Sequence, residues 1–566
     1  MNRIYPVYTV QTECLDCYKC VRQCPVKAIR IENGVASIIP ERCIACGSCV
    51  RVCPNRAKRV RNDLPEVQKR LRGSEPVYAS LAPSWVGAFP EWSASALIGA
   101  LKKLGFRGVS ETARGAQEVS AAVAEDLARQ NSGVLISSAC PAVVDYIRLC
   151  HPEQTKYITP IASPLLTHCA LLRREFGDDI RIVFIGPCVA KKNEADRHPE
   201  LLDVAITFEE LRELFRDSNV HPEEFLSGKE SFVPEDAREG TIYPIEGGML
   251  ETIRLCGRAP LRQLLAVSGI DRVGESLEQI RSVGEAGPIF VEALACPGGC
   301  IHGPCTRRAS GLITTTEILR RADLTLPDGR TSTVRVPVGY TPVFRETKSY
   351  SDDAIRKALR RVGKTSPKDE LNCGGCGYDS CRHFAEALLR GDAEVSQCVS
   401  HMRQLAMRKS NALLRCMPAG VVILDQDLLI VESNEAFTQI FGQELVELYQ
   451  NVPGLSGADI LTILPCEQLF RAALHSGGDI HREHYPIGER MFDLSIFTID
   501  PGQVIGVIVQ DTTELELGRE QIAQRAEEVI ARNITIVQEI ACKLGEHMAD
   551  TEILLSSIAE RWRRTP

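Results

Sequence analysis

Hydrophobic and polar positions follow three different periods along this chain, and each predicts a different architecture. Between about residues 75 and 345, short apolar runs read as buried strands: Gly133-Val134-Leu135-Ile136, Ile182-Val183-Phe184-Ile185 and Pro288-Ile289-Phe290-Val291. Helical stretches over Ala94–Lys103, Ala116–Gln130 and Phe208–Phe215 separate them, which predicts α/β layering with the chemistry on loops beyond strand ends. Near the start, Ala28-Ile29-Arg30-Ile31 and Val35-Ala36-Ser37-Ile38-Ile39 flank Asn33-Gly34, a hairpin signal. At the end, over Thr513–Trp562, apolar residues such as Ile522, Val529, Ile536, Ile540 and Leu544 recur at near-heptad spacing and predict one long helix with an unpartnered stripe.

At roughly 100–200 residues per domain, a chain of 566 residues predicts several domains. Lys plus Arg is 66 and Asp plus Glu is 74, a net charge of −8. That balance argues against a nucleic-acid partner, which calls for a basic face. No run approaches the ~18 apolar residues of a membrane span, so no membrane partner is expected. The start, Met1-Asn2-Arg3-Ile4-Tyr5-Pro6, lacks an apolar signal core. The expectation is a soluble, cytoplasmic protein.

The 23 cysteines change the picture most. Their three-residue spacing is too tight for a framework of long-range disulfides and suits convergent metal ligands. Cys14, Cys17, Cys20 and Cys24-Pro25 form C-x2-C-x2-C-x3-C-P, and Cys43, Cys46, Cys49 and Cys53-Pro54 repeat it. The doubled run is the bacterial ferredoxin pattern, whose fourth cysteine ligates the other cluster. One 4Fe–4S cluster is therefore assigned to Cys14, Cys17, Cys20 and Cys53, and a second to Cys43, Cys46, Cys49 and Cys24. Zinc is the alternative, and it seldom takes four such closely spaced cysteines twice over.

Three further cysteine loops follow predicted strands: Ser137-Ser138-Ala139-Cys140-Pro141, then Gly186-Pro187-Cys188-Val189-Ala190-Lys191-Lys192-Asn193-Glu194, then Ala295-Cys296-Pro297-Gly298-Gly299-Cys300. A lone buried cysteine is usually a small hydrophobe, but together these supply four thiolates, enough for one cubane. The loops resemble the three signature motifs of the FeFe-hydrogenase large subunit, T-S-C-C-P, P-C-x-x-K-K-x-E and C-P-G-G-C. The resemblance implies an H-cluster, a 4Fe–4S cube held by Cys140, Cys188, Cys296 and Cys300. Through Cys300 it would join a diiron unit carrying carbonyl, cyanide and an azadithiolate. It implies that Lys191 hydrogen-bonds a cyanide, and that the Ala82-Pro83-Ser84 segment lines the diiron pocket. Gly247-Gly248-Met249-Leu250-Glu251 resembles the family's G-G-V-M-E. The implied reaction is reversible splitting of dihydrogen into hydride and proton, with a ferredoxin-type electron acceptor.

Several positions depart from the family. Ala139 stands where the first motif has its proton-relay cysteine, and a positioned relay is typically worth ~10²–10⁴ in rate, so low turnover is expected. Glu194, Glu251 and Cys169 are candidate substitutes, with helix packing in Leu165–Arg174 the plainer role for Cys169. Gly186 and Leu294 replace methionines that contact the diiron unit in the family, and Ile301-His302-Gly303-Pro304-Cys305 replaces its G-G-G-Q-P. These losses resemble the family's divergent sensory branch.

Beyond the core, Leu326-Pro327-Asp328-Gly329-Arg330 reads as a turn and Val362–Glu370 as a polar linker. Cys373, Cys376, Cys381 and Cys398 follow with C-x2-C-x4-C-x16-C spacing, resembling a small 4Fe–4S module bridged by a helix over Arg382–Arg390, with zinc the competing metal. Residues from about 411 to 513 resemble a PAS domain: Met417-Pro418-Ala419-Gly420-Val421-Val422-Ile423-Leu424-Asp425, then Val431-Glu432-Ser433-Asn434-Glu435-Ala436-Phe437, with closing strands near Phe492–Ile496 and Val504–Val509. Its cofactor is unknown; His475, His481 and His484 are haem candidates whose plainer reading is surface residues.

The expected organisation is multidomain α/β and α+β. It comprises a ferredoxin-like module (1–62), a two-lobed hydrogenase domain (75–345), a 4Fe–4S module (366–405), a PAS domain (411–513) and a long signalling helix (514–566). The leading function is a hydrogen-sensing hydrogenase of low turnover. Its substrates would be dihydrogen and protons, its partner a redox or signalling protein such as a phosphatase or kinase, and it would form a homodimer through the PAS domain and last helix. An ordinary ferredoxin-linked hydrogenase of energy metabolism and a non-enzymatic iron–sulfur scaffold stay open as alternatives.

Overall fold

The computed structural model describes residues 4–129, 133–226, 228–257, 264–283, 289–306, 311–325, 330–345 and 348–562. Two compact units, 1–401 and 402–566, divide the chain. The turn expected at Leu326–Gly329 and the residues Gln130 and Pro288 lie outside the described residues.

The first unit opens with the ferredoxin-like module. Strands Val7–Thr9 and Lys58–Val60 pair antiparallel, and strands Ile29–Glu32 and Val35–Ile38 form the hairpin. Asn33 (φ 53°) and Gly34 (φ 71°) take the left-handed conformations that such a two-residue turn requires. Short helices Lys19–Arg22 and Ser48–Val52 carry ligand cysteines.

The central segment has two parallel sheets. One has four strands, Gly108–Glu111, Val77–Leu81, Arg181–Gly186 and Val204–Thr207 in that spatial order; the other has three, Leu264–Ser268, Ile289–Leu294 and Val134–Ile136. The expected helices are present, extended to Ala113–Arg129 and Phe208–Asp217, with Ala94–Lys103 as expected. Helix Pro164–Phe176 is fastened to the larger sheet through His168, whose ring nitrogens lie 2.8 Å from Ser80 Oγ and 2.9 Å from Ser110 Oγ. The segment 330–345 returns along the core, with Ala162 N–H donating to Val336 O and Val338 N–H to Pro160 O.

Two boundaries differ from expectation. Helix Asp352–Arg361 packs Ile355, Ala358 and Leu359 against Cys381 and Ala385, so it belongs with the third cysteine module, which begins near residue 350. The stretch read as a linker is ordered structure. Val362 and Lys364 are buried, Lys364 Nζ donates to Asp369 O, and Ser366 and Asp369 form a reciprocal capping box. Polarity there serves capping rather than solvation. The module's helix starts on a ligand, as Cys381–Arg390.

The second unit contains a five-stranded antiparallel sheet in the order Ile430–Ser433, Gly420–Asp425, Val504–Asp511, Arg490–Asp500, Ile480–Ile487. Asn434 fixes its opening: the side-chain oxygen accepts from Val421 N–H and Phe437 N–H, and the amide donates to Leu414 O and Ala419 O. His475, His481 and His484 are exposed, the plainer reading of the three. Helix Thr513–Trp562 follows, with Ile522, Val529, Ile530, Val537 and Leu544 each more than half exposed. Among the described residues no helix is long and apolar enough to cross a membrane.

Candidate metal centre

The two ferredoxin ligand sets assemble in the crossed arrangement. Cys14, Cys17, Cys20 and Cys53 line one hollow, and Cys24, Cys43, Cys46 and Cys49 line another. In the third module Cys373, Cys376, Cys381 and Cys398 line a hollow of their own.

The core ligands come from the carboxyl ends of strands in both sheets. Cys140 follows strand Val134–Ile136 and precedes helix Pro141–Cys150; Cys188 follows Arg181–Gly186; Cys296 and Cys300 follow Ile289–Leu294. Their mutual electrostatic influence marks convergence. Burial raises the Cys300 thiol and the Cys140 and Cys188 charges raise it further, while Cys296 is raised by burial and then by Cys300, Cys188 and Cys140. A set of buried thiols that oppose one another's ionisation suits a cationic iron cluster, which ionises its thiol ligands outright.

The same site holds polar groups that a bare cube would not use. Lys191 Nζ lies 2.7 Å from Glu194 Oε2 and 3.0 Å from Ser163 Oγ, and its charge bears on Cys140, Cys188 and Cys300. Ser84 is 1% exposed and its hydroxyl has no partner. The Ala82-Pro83-Ser84 loop lies beside the second cysteine loop, since Ala82 N–H donates to Ile185 O and a Cβ on Gly186 would fall 2.9 Å from Ala82 Cβ. A buried ammonium next to a four-thiol set, with an orphaned hydroxyl on the loop that meets Gly186, fits a cluster bearing anionic ligands.

Gly299 (φ 101°) brings the third loop against the chain, where an added Cβ would stand 2.3 Å from Pro244 O. Gly186 has no room for a larger side chain either, because Phe184 fills that space at 2.4 Å. Cys305 is buried, its N–H donating to Pro187 O, which agrees with a packing role.

The candidate proton groups separate. Glu194 is buried beside Lys191 and lines a cavity of about 110 Å³ with Ser138, Arg197, His198 and Tyr340. Cys169 is a fully buried core thiol on helix Pro164–Phe176, raised mainly by burial, which supports packing. Glu251, the third candidate relay, has a side chain 46% exposed that pairs with Arg254 on helix Gly248–Leu255. Sequence reasoning missed Glu292. It is 1% exposed, accepts backbone hydrogen bonds from the Gly247–Leu250 turn and leaves Oε2 unpartnered, and burial pushes it up to about 8. Ser163 was also missed, although Ser163-Pro164 is a recognisable helix start.

The ferredoxin-like module is built into this centre. A Cβ on Gly47 would lie 2.6 Å from Pro304 and 3.3 Å from Val189, and the Cys46 charge reaches Cys296. Lys192, fully buried, ties the module's edge to the core through Asp63 and Glu210, each at 2.8 Å.

Comparison with known proteins agrees with this geometry. Residues 75–304 match the family described as iron only hydrogenase large subunit, C-terminal domain, residues 6–54 match a 4Fe-4S dicluster domain, and residues 369–400 match an Fe-S cluster family. The periplasmic [Fe] hydrogenase large subunit of Nitratidesulfovibrio vulgaris is 29% identical over 364 residues, 53% of this chain and 86% of the relative. Iron hydrogenase 1 of Clostridium pasteurianum is 24% identical over 253 residues, 36% of this chain and 44% of the relative. A variant of the [FeFe]-hydrogenase HydA1 from Chlamydomonas reinhardtii aligns at 18% identity and a TM-score of 0.39, covering 48% of this chain and 91% of that one.

Proposed function

We propose, from a chain whose central segment is a hydrogenase-like iron–sulfur domain of the FeFe-hydrogenase family, that this protein cleaves dihydrogen slowly and reports the event to its second unit. The observation that carries the reading is the buried Lys191 ammonium, held by Glu194 and Ser163, whose charge bears on the thiols of Cys140, Cys188 and Cys300. When bound there, an H-cluster supplies reversible heterolysis of dihydrogen, and the protein supplies position and charge.

Each residue then has a definable task. Cys140, Cys188, Cys296 and Cys300 would hold the cube. Lys191 presents an ammonium N–H to an anionic ligand, a charge-assisted bond in a site shielded from water. Ser84 offers a hydroxyl to the same pocket. Glu194 orients Lys191 and borders the polar cavity that runs to Arg197 and His198. That cavity is large enough for ordered water, so it gives protons a route in place of the thiol missing at Ala139.

The sensory half of the reading is supported by Ala139, which removes the rapid relay, and by the sheet order of the second unit, which matches the PAS resemblance. The exposed apolar stripe on Thr513–Trp562 suits a second copy of the chain, or the helix of a phosphatase or kinase.

The test is an infrared spectrum of anaerobically matured protein under argon and then dihydrogen. Iron-bound carbonyl and cyanide bands that shift with dihydrogen are expected. Competently matured protein without such bands would reduce the chain to an iron–sulfur scaffold.

A further inference from the structure

The two ligand hollows of the ferredoxin-like module have different neighbours. The Cys24/Cys43/Cys46/Cys49 hollow abuts the core, through Cys46 near Cys296 and Gly47 under Pro304. The 373–398 module docks elsewhere on the same small domain. Gly377 takes φ 90°, and a Cβ there would lie 2.8 Å from Val21 Cγ1 and 3.2 Å from Arg22 N, so the loop between Cys376 and Cys381 is pressed onto the helix that carries Cys20.

Arg22 spans the joint. Its Nη2 donates to Cys17 O at 3.1 Å and its Nη1 to Gly375 O at 3.3 Å, so one guanidinium grips the backbone of a ligand in the first hollow and of the loop between two ligands in the third module. Tyr18, next to Cys17, lies near Ser396, two residues before Cys398. The docking is also held on the side of the second hollow, by Arg42, next to Cys43, on Asp392 at 2.7 Å and by Lys27 Nζ, three residues after Cys24, on Gly377 O at 2.8 Å, and at the hairpin by Asn33 N–H on Glu394 Oε1 at 2.6 Å.

We infer that the 373–398 module exchanges electrons with the Cys14/Cys17/Cys20/Cys53 cluster, across the Arg22–Gly375–Gly377 joint. The clusters thus form one line: core, Cys24/Cys43/Cys46/Cys49, Cys14/Cys17/Cys20/Cys53, then Cys373/Cys376/Cys381/Cys398. The step is a single electron: the first-hollow cluster goes from the +1 to the +2 state and the third-module cluster from +2 to +1. No bond is made or broken and no proton moves. Electron tunnelling falls steeply with distance, so the closest approach of ligand loops selects the route. Arg22 is a positioning residue here. The inference goes beyond the hydrogen chemistry and stands or falls without it, since it needs only the three cubanes outside the core.

The test uses the full chain with its iron–sulfur clusters reconstituted, without a diiron unit, reduced by dithionite and read by electron paramagnetic resonance. The third-module signal is expected to be split by a neighbouring spin. Removing the first-hollow cluster by Cys17→Ala should abolish that splitting, whereas removing the second by Cys46→Ala should leave it. Gly377→Val, which keeps every ligand, should lose the splitting with iron content unchanged. Splitting that survives Cys17→Ala but not Cys46→Ala, or a third cluster magnetically isolated in the parent protein, would overturn the inference. The two cysteine variants decide the matter even if Gly377→Val does not fold.

Discussion

Lys191 and Glu194 face each other across one turn of helix Ala190–Arg197, Nζ to Oε2 at 2.7 Å, with side chains 11% and 9% exposed. An ammonium has three N–H donors; Glu194 and Ser163 take two, and the third is left for a ligand in the core. Removing one partner of such a buried pair leaves an uncompensated charge, at a cost of about 3–5 kcal/mol, so the pair acts as a unit.

Lys191→Met should therefore lower the carbonyl and cyanide infrared bands by roughly tenfold or more, the worth of a hydrogen bond to a charged group, while the cube's paramagnetic signal persists. Glu194→Gln should retain the bands but lower dihydrogen oxidation by about 10–100-fold, as loss of an orienting partner does. Equal band intensity in Lys191→Met and parent protein would contradict the role given to this ammonium.

Ala139→Cys should raise turnover. A restored thiol relay is worth ~10²–10⁴ in rate, measured as dihydrogen-dependent dye reduction in matched, matured samples. An unchanged rate would place the slow step elsewhere.

Gly299→Ala should cost the core its cube. The residue sits at φ 101° and its Cβ would come within 2.3 Å of Pro244 O, a backbone atom that has no flexible end to swing aside. Expected are loss of the core cluster's signal and retention of the other three. A variant with all four clusters intact would show that the loop is more yielding than its packing indicates.

Glu111 should impose a pH dependence on stability. Burial pushes its carboxyl up to about 7, against lowering by Ala237 N–H and Arg321. An acid raised in the folded state favours folding when protonated, so its contribution is complete below pH ~4.5 and is lost as pH rises through 7. At 1.36 kcal/mol per unit, the loss amounts to about 3 kcal/mol. The thermal midpoint of Glu111→Gln should therefore fall less than the parent's between pH 5 and 8; parallel profiles would remove Glu111 from the account.

Ending the chain before Thr513 should convert a dimer to a monomer by light scattering. The helix of 50 residues reaches about 75 Å at 1.5 Å per residue, with its apolar stripe exposed throughout. A parent protein that is monomeric at micromolar concentration would show that another chain covers the stripe.

What the sequence made legible was chemistry with local spacing. All sixteen expected cysteine ligands lie in the three hollows and the core constellation, because each motif sets its own loop. The strands of the core were legible because a sheet covered on both faces reads as unbroken apolar runs. The exposure of Glu251 was not legible, because membership of a motif does not say which side of a helix a residue takes. Ser163, Glu292 and Gly377 escaped notice because their meaning depends on partners far along the chain: Lys191 for Ser163, the Gly247 turn for Glu292, Val21 for Gly377. Lys364 was read as solvated polarity, whereas its ammonium is buried and donates to a backbone carbonyl.

The close seat of Gly47 beneath Pro304 and Val189 bears on how the protein is made. Residues 1–62 leave the ribosome before Pro304, which covers Gly47 from about 250 positions further along the chain. At ~5–20 residues per second, synthesis leaves Gly47 uncovered for some tens of seconds. The loop between Cys46 and Cys49 is thus uncovered while the core is made, so anaerobic translation, and not only anaerobic purification, should raise the yield of the second cluster.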